Sequence, residues 1–267
     1  KNGMKPQLEV VVQKPDTRES KTPLLFVHGM WHAAWCWEEN FLPYFAQNNY
    51  VSYAMSLRGH GESEGRERLR WTSLAEYVTD VTAVVEQIEI PPVLIAHSMG
   101  GMIVQKYLEN HQVPAAILLA SAPPGGLLPA TLRVARRHPL TFLKVNLTMS
   151  LYPVIGRPEY CKELLFSDSI DREQLVEYYG RMQDEAYRAY IDMLFLNLPR
   201  TKRVETPMLV LGAANDAAIS VSENLATARA YGVEAEIFPD MAHDMMLEAG
   251  WRKVADRILS WLEEKGL

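Results

Sequence analysis

Short, fully apolar runs alternate along this chain with longer stretches in which apolar residues recur every three or four positions. A brief apolar run closed by glycine or proline suits a strand buried on both faces of a parallel sheet, and the longer spacing suits an amphipathic helix packed on it. Runs of the first kind are Pro23–Val27, Pro92–Ala96, Ala115–Ala120 and Met208–Leu211. Leu8–Val12, Tyr50–Met55 and Glu234–Phe238 are β-rich but mixed. Helical spacing predicts a helix over Glu38–Gln47 and another carrying Leu74, Val78, Val81, Val85 and Ile88. The second opens on Ser73 with Glu76 three residues on, a capping box, and Pro91-Pro92 stops it. Further helices carry Ile103, Val104, Tyr107 and Leu108, then Ser222–Tyr231, then Trp251, Val254, Ile258 and Leu262.

The rhythm breaks at Pro123-Pro124-Gly125-Gly126. From Leu127 to Arg200 the pattern predicts helices separated by Pro139, Pro153, Pro158 and Gly180, with no strand before Met208. Strands alternating with helices on both sides of this interval imply an α/β fold, a mostly parallel sheet with right-handed crossovers and helices on both faces. Residues 1–122 and 205–267 then form the core domain and 123–204 a helical cap over the sheet's C-terminal edge, where open α/β sheets bind ligands.

Composition narrows the class. Of 267 residues, 48% are hydrophobic and 22% charged, enough for a large core. The net charge of −6 supplies no overall field for nucleic acid or an anionic membrane. Cys36 and Cys161 are far apart, without metal-ligand spacing, and read as free thiols in a reducing compartment. Lys1–Gln13 has no leader pattern, and no apolar run approaches the ~18 residues that span a bilayer. The expectation is a soluble, cytoplasmic protein without a membrane span or nucleic-acid partner. No metal cluster and no dinucleotide-type glycine loop stands out, so neither metal nor cofactor is expected.

The candidate chemistry centres on Ala96-His97-Ser98-Met99-Gly100-Gly101, a strand, a sharp corner and a helix with Ser98 at the corner. Alanine replaces the first glycine of G-x-S-x-G. A serine hydroxyl needs a base to take its proton and an acid to orient that base. Asp216 follows the strand Met208–Leu211, and His243 follows Glu234–Phe238, which completes the chain order serine, acid, histidine. Oxyanion donors fall at the Met99 N–H, directly after the serine, and at the Met30 N–H, after His28-Gly29. Trp31 and His32 beside that loop are the candidate substrate contacts. Asp240 and Asp244 read as solvated loop carboxylates or caps, and Glu248 as a first-turn residue of the last helix. Arg133, Arg136, Arg137 and His138 form a basic cluster, read as a solvated helix face before a carboxylate-binding one. Tyr152, Phe166, Tyr178, Tyr179, Tyr187, Tyr190 and Phe195 read mainly as packing, with two or three facing the cavity.

His28-Gly29, Arg58-Gly59-His60-Gly61-Glu62-Ser63, Ala96–Gly101, Asp216 and His243 together resemble the α/β-hydrolase fold superfamily over nearly the whole chain. The resemblance implies an eight-stranded sheet with a cap inserted after the sixth strand, and structural roles for His28 and the Arg58–Ser63 loop. The stretch from His28 to Trp37 is similar to the matching loop of plant methylesterases and hydroxynitrile lyases. The Arg58–Ser63 loop is closer to microbial esterases and cofactor-free haloperoxidase relatives. Epoxide- and halide-cleaving members carry aspartate where Ser98 stands, so serine favours acyl transfer from a small, largely apolar ester, thioester or lactone. A lyase or C–C bond hydrolase using the same residues, and a weakly catalytic ligand receptor, are the alternatives.

Overall fold

A computed structural model describes residues 6–16 and 21–267. Residues 1–5, part of the stretch read as having no leader pattern, lie outside it. Seven strands, β1 (Val10–Gln13), β2 (Leu24–Val27), β3 (Ser52–Met55), β4 (Val93–His97), β5 (Ala116–Leu119), β6 (Met208–Ala213) and β7 (Ala235–Phe238), make one sheet in the order β1-β3-β2-β4-β5-β6-β7. Only the β1–β3 pair is antiparallel. Every residue of β2, β4, β5 and β6 is buried, as their unbroken apolar runs require.

The expected eighth strand is not found among the described residues, and the helical segment follows the fifth strand instead of the sixth. Among the described residues one strand, β1, precedes β2.

The helices are α1 (Trp35–Glu38), α2 (Phe41–Gln47), α3 (Leu74–Val85), α4 (Met99–Tyr107), α5 (Leu128–Arg137), α6 (Pro139–Thr148), α7 (Pro158–Leu165), α8 (Arg172–Arg181), α9 (Tyr187–Ile191), α10 (Val221–Ala230) and α11 (Trp251–Glu264). The helix expected over Glu38–Gln47 is two short ones broken at Asn40. The capping box of α3 forms, with the Ser73 N–H donating to Glu76 at 2.8 Å and the Glu76 N–H to Ser73 Oγ at 3.3 Å.

The order of strands fixes where a ligand can sit. From β2 the chain crosses by α2 to β3 on one side; from β3 it returns by α3 to β4 on the other side of β2. Right-handed crossovers in opposite directions put α2 and α3 on opposite faces, with a crevice beyond the C-terminal ends of β2 and β4 where the order reverses. The corner at Ser98 and the loop at Gly29-Met30 both lie there, on strands paired Val27 to Ala96.

Between β5 and β6 every regular element among the described residues is helical. Buried polar contacts tie this segment to the core. Asp192, after α9, accepts the Leu74 N–H at 3.0 Å. Glu185 meets His60 Nε2 at 3.0 Å and accepts the Tyr77 hydroxyl at 2.6 Å. Gln183 donates its own backbone N–H to the Trp31 carbonyl at 3.1 Å. Cys36 in α1 and Cys161 in α7 are both free and fully buried. Burial raises both thiols well above their usual range, so neither is a reactive thiolate.

Candidate active site

Ser98 sits at φ 52°, ψ −118°, a region that non-glycine residues enter only at a cost of ~1–3 kcal/mol. Its surroundings leave little alternative. A Cβ at Gly100 would lie 2.5 Å from the carbonyl oxygens of Val27 and His28. One at Gly29 would lie 2.8 Å from His97 Nδ1 and 2.9 Å from Ser98 Cβ. Glycine at both positions lets β2 and the start of α4 close around the serine, and buried Ala96 completes the small-residue frame.

His243 Nε2 lies 2.9 Å from Ser98 Oγ, and its Nδ1 lies 2.7 Å from Asp216 Oδ2. The other Asp216 oxygen accepts the N–H groups of Ala218 and Ile219, each at 2.8 Å. With the carboxylate held as acceptor, the Nδ1–H of His243 donates to it and Nε2 is free to accept from the serine. Burial works against charge on His243, but the Asp216 carboxylate, with a smaller contribution from Asp244, outweighs it and raises the imidazole above its ordinary value. The backbone N–H groups of Met30 and Met99 hydrogen-bond to no other described residue, which leaves both as free donors at the corner.

Ser98 and His243 open onto a cavity of about 100 Å³ whose other walls are apolar apart from Thr131 and Tyr190. Met30, Trp31 and Met99 line it from the core; Val134, Phe142, Val145 and Leu164 from the helical segment. Trp31 lies at φ 65°, and its indole N–H donates to the Leu151 carbonyl at 3.3 Å, tying the loop after β2 to the helical wall. Trp31, expected at the substrate, lines this space; of the aromatics of the helical segment named from the sequence only Tyr190 does, and Phe142, not among them, does too.

His32 is not part of that lining. It is 1% exposed, its Nδ1 lies 2.6 Å from the Met30 carbonyl oxygen and its Nε2 2.8 Å from Asp244 Oδ2. With both ring nitrogens held by acceptors inside the protein, it has nothing left for a substrate. Asp244 is correspondingly no solvated carboxylate: it is fully buried, and burial's upward push on it is outweighed by His32, which holds it below the usual range. Glu248 is buried as well, accepting the Ser167 N–H at 2.8 Å, and α11 begins only at Trp251. The one sequence signal for Asp244 is the apolar run Met245-Met246-Leu247 that follows it.

His97 and His28 hold loops. His97, lowered to about 3 chiefly by burial and then by His243, is neutral and donates its Nε2–H to the His243 carbonyl at 2.9 Å. His28, lowered by burial and next by His60, accepts the Leu57 N–H on Nε2 at 3.1 Å. His97, His243 and Asp244 place ligand-type atoms within 4.8 Å of one another. Both nitrogens of His243, Nε2 of His97 and Oδ2 of Asp244 are already engaged, so a metal there would have to dismantle the serine–histidine–aspartate line.

The sequence profile of the alpha/beta hydrolase family matches residues 24–257, and the chain belongs to that family. It is 24% identical over 241 residues to a monoacylglycerol lipase of Mycolicibacterium smegmatis, which covers 82% of this chain and 80% of that protein. The fold superposes on an esterase from Exiguobacterium antarcticum with TM-score 0.77 at 18% identity, over 97% of this chain and 96% of the other. A structure titled as a non-heme bromoperoxidase from Mycobacterium tuberculosis gives TM-score 0.76 at 18% identity, over 99% and 98%. Family membership makes this chain an enzyme of the hydrolase class.

Proposed function

We propose that the protein cleaves a small, largely apolar carboxylic ester, thioester or lactone through an acyl-enzyme on Ser98. The observation that carries this is the continuous line from Ser98 Oγ to His243 Nε2 at 2.9 Å and from His243 Nδ1 to Asp216 at 2.7 Å. In this reading His243 takes the Ser98 proton as the hydroxyl attacks the acyl carbon, then gives it to the leaving group. Asp216 fixes the ring and stabilises the imidazolium. The N–H groups of Met30 and Met99 receive the oxyanion, worth roughly 3–4 kcal/mol per donor in comparable sites. Water activated by the neutral His243 then releases the acid.

The cavity supports a compact substrate. At about 100 Å³ it is smaller than the ~150 Å³ apolar cavity known to take a benzene ring. Its apolar walls, Trp31 included, suit a short hydrocarbon acyl or alcohol group. The relatives named as an esterase and a monoacylglycerol lipase support the ester class. Residues 123–204 act as a cap on a core of 1–122 and 205–267, and the two unpaired buried thiols accord with a reducing, cytoplasmic setting.

The test is turnover of short p-nitrophenyl esters together with fluorophosphonate labelling. Ser98→Ala should lower kcat on the order of 10⁴-fold or more and abolish labelling. Full activity in that variant would refute the reading, and ligand binding without any labelling of Ser98 would move the protein to a receptor.

A further inference from the structure

The outer side of α5 and α6 is apolar where a water-facing helix should be polar. Leu140, Leu143 and Leu147 are 81%, 54% and 74% exposed, and Leu128 and Leu132 on α5 are 45% and 44% exposed. On α6 these positions fall on one side of the helix, while Phe142 and Val145 on the opposite side line the cavity. The cavity therefore accounts for the inner residues and not for the leucines. Beside α5 the patch continues: the Leu127 N–H donates to the Met193 carbonyl at 2.9 Å, and Phe195 and Leu196, just beyond, are 62% and 56% exposed.

Charge identifies the occupant. The chain as a whole carries −6, yet α5 and α6 hold Arg133, Arg136, Arg137 and Lys144 and no acidic residue, and none occurs between Glu109 and Glu159. Arg133 pairs with Glu223, and Arg137 with Glu163. Arg136 and Lys144 form no ion pair among the described residues, and each lies roughly 40° around its helix from the leucine stripe. An apolar stripe flanked by free cations matches a bilayer interface bearing negative charge, where leucines enter the acyl boundary and basic side chains meet phosphates. A second copy fits poorly, because symmetric pairing would set the two free cations of one copy against the two of the other.

We propose that α5 and α6 form a docking face for an anionic lipid surface, which seats the outer wall of the cavity against the membrane. Docking of this kind brings the cavity to where apolar esters accumulate, but it does not require that Ser98 turn any of them over.

Sedimentation with vesicles of phosphatidylcholine alone, or mixed with phosphatidylglycerol, tests this without reference to activity. The protein should pellet with the mixed vesicles, and binding should weaken steeply as salt is raised. Leu140→Ser with Leu147→Ser should reduce binding on the order of tenfold, while hydrolysis of a water-soluble ester stays unchanged. Ser98→Ala should bind vesicles as the parent does, so a failure of the esterase reading is distinguishable from a failure of docking. Three results would overturn the inference: no vesicle binding, equal and salt-insensitive binding to both compositions, or a concentration-dependent dimer that the leucine variant abolishes without vesicle binding.

Discussion

His32 Nε2 meets Asp244 Oδ2 at 2.8 Å inside the protein, one residue along the chain from the imidazole that faces Ser98. Asp244 adds to the field that holds His243 above its ordinary value, after the larger opposing effect of burial and the larger support of Asp216. In the proposed mechanism the base must be neutral to accept a proton, so activity should rise with pH as His243 deprotonates. Asp244→Asn removes negative charge near the ring and should move that limb of the kcat/KM profile to lower pH. A purely structural role would reduce stability and leave the midpoint in place, so a pH profile of the purified variant decides between them.

Gly29 bears directly on the corner. A methyl group there would crowd His97 Nδ1 and Ser98 Cβ, both of which are held by packing. Gly29→Ala should cost about 1–3 kcal/mol in chemical denaturation and lower kcat on the order of 10²-fold through displacement of the serine. Unchanged values of both would show that the strand ends yield more easily than their spacing suggests.

Glu185 and His60 anchor the helical segment with side chains that are both fully buried. Burial opposes charge on each, but each raises or lowers the other in favour of the ion pair: His60 lies above its ordinary 6.5 and Glu185 below its ordinary 4.5. The histidine's contribution is complete below 6.5 and is lost as pH rises through its raised folded value. The carboxylate's contribution is complete above 4.5 and is lost as pH falls through its lowered folded value. The pair should therefore stabilise most between those limits. Glu185→Ala should lose about 3–5 kcal/mol by denaturant titration there, and less in alkaline buffer, where His60 is neutral in both states.

Thr131 and Tyr190 hydrogen-bond to each other at 3.0 Å in the otherwise apolar wall. Two hydroxyls share one hydrogen bond, so one O–H is left to offer to the cavity. Esters with an acceptor such as a keto or ether oxygen distant from the scissile bond should be favoured over their hydrocarbon analogues. Tyr190→Phe should raise KM for the former on the order of tenfold and leave the latter unaffected, as steady-state kinetics on a matched pair would reveal.

The corner at Ser98 was readable because crowding demands small residues at Gly29, Ala96 and Gly100, and that demand leaves a local signature. Asp216 and His243 were readable from chain order, each lying in a loop that follows a strand. The contact of His32 with Asp244 spans 212 positions and leaves no such trace, since a polar residue in a loop looks the same whether solvated or buried against a partner. Phe142 leaves no trace in the sequence for a related reason. The helical segment has two apolar sides, so its periodicity cannot say which one faces the cavity. The eighth strand is an expectation of the family resemblance alone, since the apolar and β-rich runs of the chain number seven.

Cys36 lies in α1 and Cys161 in α7 of the helical segment, both buried and both within the field of the Asp244 carboxylate. Neither can meet a thiol reagent until its own surroundings open. The rate at which each is modified therefore times the opening of its own element, α1 for one and α7 for the other. The protein thus carries two internal clocks, and the ratio of their rates reports whether the surroundings of Cys161 open on their own or only together with those of Cys36.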